Sequence, residues 1–138
     1  MGNQLELELI ADLMELERVN KELDTFAERH AWSTKSLFQI KLAVEEVVVN
    51  TISYGFSEQA APRIVLKLQQ ADAQVTVEVS DNGLAFDPLQ KAAPDIDASL
   101  EDRAIGGLGV YLVRQLMDQV TYAREGDWNQ LLMTKIID

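Results

Sequence analysis

Hydrophobic and polar residues alternate strictly at residues 5–9, where leucine and glutamate follow one another in turn. A period of two predicts a strand with one buried face. The runs at 63–69 and 74–81 are also strand-like, and the residues between them predict a hairpin. Two closing strands are predicted at 119–124 and 129–137, around a turn at 125–127.

Apolar residues at helical spacing predict three helices, of which the first covers about 13–30. Asp12 and Glu15 stand three residues apart at its beginning, which is the spacing of a capping box. The third helix is predicted from about 107 to 118, directly after a group of glycines.

The second predicted helix is the longest and runs to about residue 54. Either Ser33 or Thr34 can cap its beginning, and Gly55 is expected to end it. The order is therefore strand, two helices, two strands, loop, helix, two strands. Strands joined by short turns pair antiparallel, so this order predicts an α+β fold. We expect a two-layer α/β sandwich with a mixed, mostly antiparallel sheet and its helices on one face.

One segment, at about 86–105, lacks any periodicity and carries Pro88 and Pro94 among several acids. We predict a long loop here. Loops of this length inside a compact domain are usually functional lids or disordered segments. No repeat, low-complexity tract or linker divides the chain, so residues 1–138 are expected to form a single domain.

Composition narrows the classes of protein that fit this pattern. Twelve basic residues against 23 acidic ones give a net charge of −11, which argues against binding to nucleic acid or to anionic membranes. A basic protein partner is favoured; the alternative is that the acidity only maintains solubility. The chain has no cysteine and shows neither a signal peptide nor a membrane-spanning apolar run, so we expect a cytoplasmic protein.

The middle of the second predicted helix is the first candidate site. Nearly every position between residues 40 and 52 is apolar, so much of this helix is predicted to be buried. Glu46 and Asn50 are polar exceptions one turn apart, about 40° from each other around the helix axis. Such groups at the edge of a buried stripe need partners, because desolvating them unpaired is costly. The alternative is a surface pair that contacts solvent or a loop.

A second candidate is the run Asp81, Asn82 and Gly83, directly after a predicted strand. Asn-Gly is the commonest tight hairpin turn, but a long loop follows here instead of a strand. A carboxylate at a strand end can accept a hydrogen bond from an exocyclic amine. Gly83 would let a flat ring approach the backbone closely.

The third candidate is the run Gly106, Gly107, Leu108 and Gly109 at the predicted start of the last helix. Backbone N–H groups at a helix start bind phosphate oxygens readily; the alternative is a flexible hinge. The run lacks the Lys-Ser or Lys-Thr pair of a P-loop and the βαβ surroundings of a dinucleotide site. Arg103 precedes it, either to neutralise a terminal phosphate or to pair with the two acids before it.

Together, these segments resemble the ATPase family shared by gyrase, the Hsp90 chaperone, sensor histidine kinases and a mismatch-repair protein, which has the Bergerat ATP-binding fold. Residues 42–50 are similar to the family's Glu-x-x-x-Asn helix, 79–83 to its adenine-binding Asp-x-Gly turn, and 107–113 to its second glycine box. Their order and spacing match over nearly the whole chain. Within the family, the sequence most resembles the stand-alone anti-sigma-factor serine kinases.

The resemblance implies a role for each matching residue. Asp81 would hold the adenine amine, with Gly83 beneath the ring. Asn50 would coordinate Mg2+, which bridges the phosphates, and Glu46 would be the general base. Arg103 resembles the lid arginine of the kinase subgroup. The remaining implied ATP contacts are Gly106, Gly107, Leu108 and Gly109 along the phosphates and Asn129 near adenine.

The activity that this resemblance implies is an ATP- and Mg2+-dependent protein-serine/threonine kinase. Its substrate would be an anti-sigma-factor antagonist, and it would also sequester a sigma factor; the family further suggests a homodimer. The loop at 86–105 would be a lid over the nucleotide. Two alternatives remain open: a nucleotide-dependent binding switch without kinase activity, and an α+β domain that binds no nucleotide.

Overall fold

The computed structural model describes residues 3–56, 61–85 and 107–137. Its strands and helices follow the order predicted from the sequence. They are β1 (Gln4–Leu9), α1 (Glu15–Arg29), α2 (Thr34–Tyr54), β2 (Ile64–Ala71), β3 (Gln74–Asp81), α3 (Gly107–Leu116), β4 (Gln119–Glu125) and β5 (Trp128–Ile136). The predicted lid at 86–105 lies outside the described residues.

The five strands form one sheet in the order β1-β2-β3-β5-β4, and each pairing in it is antiparallel. The hairpins β2–β3 and β4–β5 therefore lie side by side, joined through β3 and β5. The register of this central pair places Asp81 opposite Asn129. The predicted α+β sandwich is confirmed, and among the described strands the sheet is entirely antiparallel.

The core lies between one face of the sheet and the helices. Alternate strand residues contribute to it, as the period of two predicts. On β2 and β3 the fully buried residues are Ile64, Leu66, Leu68, Val75, Val77 and Val79. Helix α1 adds Leu23 and Phe26, while α2 adds Ile40, Val44 and Val48. No helix among the described residues is long and apolar enough to cross a membrane.

The beginning of α1 differs from the predicted capping box. The Asp12 carboxylate accepts a hydrogen bond from the Met14 backbone at 2.9 Å, and the Glu15 carboxylate accepts one from the Ile10 backbone at 3.0 Å. The chain already turns at Asp12, whose N–H donates to the Ile10 carbonyl at 2.8 Å. The Glu15 N–H likewise donates to the Asp12 carbonyl at 3.0 Å, so both N–H groups that a capping box would bind already have backbone partners. The capping-box prediction was wrong, and the helix begins at Glu15 instead of residue 13.

Both ends of α2 lie where the sequence predicts them. Ser33, not Thr34, is the cap, and its hydroxyl accepts a hydrogen bond from the Ser36 backbone at 3.1 Å. Gly55 ends the helix with a right-handed φ of −77°. A Cβ at this position would lie 2.6 Å from the Thr51 carbonyl oxygen, so close packing explains this glycine.

In the last third of the chain, hydrogen bonds join the connection between α3 and β4 to strand β5. Helix α3 ends at Leu116, two residues before the predicted end, and the Leu116 carbonyl accepts a hydrogen bond from Lys135 at 2.9 Å. Asp118 binds β5 through its own N–H and through its carboxylate, which accepts from Ile136 N at 2.6 Å. The β4–β5 turn is one residue shorter than predicted, and Gly126 adopts a φ of +60° in it.

Candidate functional site

Asp81, the last residue of β3, is the buried acid of the candidate site, with only 8% of its surface exposed. Its Oδ1 atom accepts hydrogen bonds from the Gly83 backbone at 2.9 Å and from the Asn129 amide at 3.0 Å. Among the described residues, no donor lies on the other oxygen, Oδ2. Since a buried acceptor without a donor is costly, Oδ2 is suited to a donor group on a ligand.

The turn after Asp81 is pressed against the end of α2. Leu84 donates its backbone N–H to the Gly55 carbonyl at 3.0 Å. At Gly83, a Cβ would lie 2.2 Å from the Gly55 carbonyl oxygen and 2.9 Å from Asp81 Oδ1. Only glycine fits here, because the atoms that exclude a side chain belong to Gly55 and Asp81 of the protein itself. The predicted place of Gly83 beneath a flat ring stays a prediction.

The β4–β5 hairpin holds this turn from the opposite side. Asn129, 6% exposed, donates through Nδ2 to Asp81 and also to the Leu84 carbonyl at 2.8 Å. Its Oδ1 accepts a hydrogen bond from the Tyr122 hydroxyl. Arg124 Nη1 donates to the Gly83 carbonyl at 2.9 Å. The structure therefore joins Asp81, Gly83 and Asn129 in one hydrogen-bonded group.

Tyr122 and Arg124 are members of this group that the sequence analysis missed. The strand register pairs Tyr122 with Leu131 and Arg124 with Asn129. Alternation along β4 puts both on the face of the sheet that carries the core. The sequence signal that could have identified Arg124 is a positive charge on the core-facing side of β4. That signal points to the Asp81 turn only if it is known that β4 pairs with β5 and not with another strand.

Glu46 and Asn50 are half-buried in the second half of α2, one helical turn apart as predicted. Their helix leads directly to Gly55, the residue that accepts from Leu84 in the turn after Asp81. The structure thus brings the predicted Glu-x-x-x-Asn helix and the Asp81 turn together through backbone contacts. The roles assigned to the two side chains stay predictions.

The glycine run is described only in part. Gly107, Leu108 and Gly109 form the first turn of α3, which packs against α2. The first N–H groups of a helix have no partner within it, so this turn has the donors expected of a phosphate site. Gly106 and Arg103 lie outside the described residues, and their roles stay predictions.

These features fit ATP and Mg2+. The buried Asp81 Oδ2 atom suits the adenine amine, and the first turn of α3 suits phosphates. An amide oxygen such as that of Asn50 is a hard ligand of the kind that Mg2+ prefers, and Mg2+ commonly takes its other ligands from water and phosphate.

Comparison with known proteins agrees with the fold and with the predicted family. The model of the histidine kinase-like ATPase domain matches residues 9–135. The chain therefore belongs to this family of ATP-using domains, and the family predicted from the three motifs is confirmed.

Two curated relatives place the chain more narrowly. The serine/threonine-protein kinase BtrW of Bordetella bronchiseptica is 35% identical over 112 residues, which are 81% of this chain and 79% of that protein. An anti-sigma F factor of Clostridium acetobutylicum is 24% identical over 136 residues, or 98% of this chain and 94% of that protein. The predicted enzyme class, a protein kinase, is supported by the first of these.

A solved structure of the RsbU and RsbW domains of Rv1364c from Mycobacterium tuberculosis superposes with a TM-score of 0.72 at 16% identity. The match covers 97% of this chain and 32% of that one. At this identity it establishes the fold alone.

Proposed function

We propose that the chain is an ATP-dependent protein-serine/threonine kinase that acts as an anti-sigma regulatory factor. The observation that carries this proposal is the buried Asp81 carboxylate, whose Oδ2 atom has no donor among the described residues. It lies beside a glycine turn that is fastened to the end of the Glu46/Asn50 helix. The kinase relative supports the activity, and the anti-sigma relative supports the regulatory role.

Binding follows from the donors and acceptors of the site. Asp81 accepts a hydrogen bond from the adenine amine, with the base against the Gly83 turn. Asn50 would hold Mg2+ through its amide oxygen, and the metal would supply positive charge that compensates the phosphates. Gly107 and Gly109 offer backbone N–H groups to phosphate oxygens. Arg103 would add a positive charge near the terminal phosphate.

Transfer requires little covalent chemistry from the protein. Glu46 accepts the proton of the incoming serine hydroxyl as the serine oxygen forms its bond to the γ-phosphorus. The bond from that phosphorus to the bridging oxygen breaks, and ADP leaves with the electron pair. The products are phosphoserine and ADP, with the proton on Glu46.

The proposed partners are a small anti-sigma-factor antagonist, as phosphoryl acceptor, and a sigma factor, as the sequestered protein. The net charge of −11 favours a partner surface with basic residues, because opposite charges speed association. We include in the proposal a cytoplasmic location, a homodimer, and a role for residues 86–105 as the lid.

The decisive experiment incubates the protein with Mg-ATP and a candidate antagonist and measures phosphoserine by mass spectrometry. Glu46→Ala should lower the transfer rate at least tenfold while ATP still binds, because a general base contributes about 100-fold or more. Asn50→Ala should abolish the Mg2+-dependent part of ATP binding. Glu45→Ala, which removes the adjacent carboxylate on α2, is the matched control and should transfer normally.

Three results would each contradict part of the proposal. If the wild type binds ATP tightly and sequesters a partner but transfers no phosphate, the chain is a nucleotide-dependent binding switch. If Mg-ATP fails to raise the melting temperature, the nucleotide site itself is wrong, since a ligand that binds the native state stabilises it. Unchanged turnover in Glu46→Ala would refute only the assignment of the base.

A further inference from the structure

Three hydrogen bonds of the Asn129 side chain are satisfied together by one orientation of its amide. Nδ2 donates to two acceptors, Asp81 Oδ1 at 3.0 Å and the Leu84 carbonyl at 2.8 Å. Oδ1 accepts from the Tyr122 hydroxyl. A primary amide has two N–H donors, so these two bonds use both of them. Because the carboxylate and the carbonyl can only accept, they identify this end of the amide as Nδ2, and the Tyr122 hydroxyl donates to Oδ1 at the other end.

This arrangement determines what the buried end of the site can offer a base. The amide donors of Asn129 are directed at protein acceptors, so they are withheld from a ligand. Asp81 Oδ2 remains, and it is an acceptor. A base with an amine at the matching position donates a hydrogen bond to this oxygen. A base with a carbonyl there would place its own oxygen next to Oδ2, and neither of these two acceptors would have a donor.

We propose that Tyr122 is a positioning residue that sets base selectivity by locking Asn129 with both donors turned away from the nucleotide. The inference rests on the proposed function, because it assumes that the nucleotide base lies at Asp81. Tyr122 acts through Asn129 and does not itself touch the base. Its hydrogen bond holds the Oδ1 end of the amide in place, and this keeps both Nδ2 hydrogens on Asp81 and Leu84 and away from a carbonyl on the ligand.

The test compares binding of ATP and of inosine triphosphate, whose base carries a carbonyl where adenine has its amine. Calorimetry of the full chain with Mg2+ gives the two dissociation constants, and their ratio is the readout. The wild type should prefer ATP. Tyr122→Phe removes one hydroxyl and should reduce that preference about threefold to tenfold, which is the effect of losing one hydrogen bond.

The matched control is Tyr111→Phe, which removes a hydroxyl from a tyrosine of α3 that is 44% exposed and lies outside the Asp81 group. Its preference for ATP should equal that of the wild type. A purely structural role for Tyr122 would weaken both nucleotides by the same factor. Equal weakening, or an unchanged ratio, in Tyr122→Phe would therefore overturn the proposal.

A second variant keeps the test informative if Tyr122→Phe is poorly folded. Asn129→Thr replaces the fixed amide with a hydroxyl, which can donate or accept as the ligand requires. The preference for ATP over inosine triphosphate should again decrease. A ratio of the two dissociation constants equal to that of the wild type would count against the proposal. A wild type that binds neither nucleotide refutes the proposed function, whereas one that binds both equally refutes only the selectivity inference.

Discussion

Replacement of Gly83 by alanine tests the contact between the Asp81 turn and α2. The new Cβ would lie 2.2 Å from the Gly55 carbonyl oxygen and 3.0 Å from the Gly55 carbonyl carbon. Carbon and oxygen atoms in close C–H···O contact are about 3.3 Å apart. The turn and the helix end must therefore separate by about 1 Å. Both obstacles belong to the backbone, so no side-chain rotation relieves the clash.

The energetic effect follows from this displacement. The hydrogen bond from Leu84 N to the Gly55 carbonyl, now 3.0 Å long, would stretch beyond hydrogen-bonding distance and cost about 1 kcal/mol. The overpacked backbone adds about 1–3 kcal/mol. We expect Gly83→Ala to lower the free energy of unfolding by about 2–4 kcal/mol, a large part of the roughly 5–15 kcal/mol that domains have.

Gly83→Ala should also weaken the binding of ATP, for a reason separate from its effect on stability. The same Cβ would lie 2.9 Å from Asp81 Oδ1, so the carboxylate must move with the turn. A hydrogen bond to a charged group contributes about 1.5–3 kcal/mol. Its loss should raise the dissociation constant for ATP about tenfold to a hundredfold. Urea unfolding measures the first effect and calorimetric titration the second.

Gly126→Ala is the control for inserting a methyl group at a turn. Nothing lies within 4 Å of a Cβ built there, but its φ is +60°. We expect a loss of about 1 kcal/mol from the left-handed backbone and an unchanged affinity for ATP. If Gly83→Ala proves as stable as Gly126→Ala and binds ATP normally, the close contact between Gly83 and Gly55 does not constrain the site, and the reasoning fails.

Three further predictions concern the fold and the buried acid. Ser33→Ala should lower the free energy of unfolding by about 1 kcal/mol through loss of the α2 cap, measured by urea denaturation; Ser33→Asp should retain it. Leu66→Ala, at a position with no exposed surface, should cost about 2–5 kcal/mol, and a loss below 1 kcal/mol would contradict its place in the core. Asp81→Asn preserves shape but places a donor or a neutral oxygen where the carboxylate stood, so the thermal shift caused by Mg-ATP should largely disappear. A shift equal to that of the wild type would show that Asp81 does not hold the base.

The sequence was sufficient for most of the architecture because its patterns are local. The alternating apolar residues of β2 and β3 identify their buried face without knowledge of the rest of the chain. Ser33 and Gly55 similarly define α2 through short-range chemistry. The beginning of α1 was predicted wrongly because Asp12 had two local options, and a backbone turn to Ile10 prevailed over the capping box.

The site was harder to predict because its contacts are long-range. Asp81 and Asn129 are 48 residues apart in sequence, and they meet only because β5 pairs with β3. The motifs identified Asp81 and Gly83, but Tyr122 and Arg124 carry no motif. Their participation depends on the register of β4 against β5, which no pattern within β4 encodes.

The position of β5 inside the sheet also has a consequence for the order of events during synthesis. The proposed base end of the site uses Asn129 and Tyr122 from the β4–β5 hairpin, although Asp81 is made much earlier. A nascent chain that ends before β5 leaves one edge of β3 unpaired and Asp81 without the Asn129 amide. Since chains emerge from the ribosome N-terminus first, a protein stalled or cleaved before residue 129 should be unable to select its nucleotide.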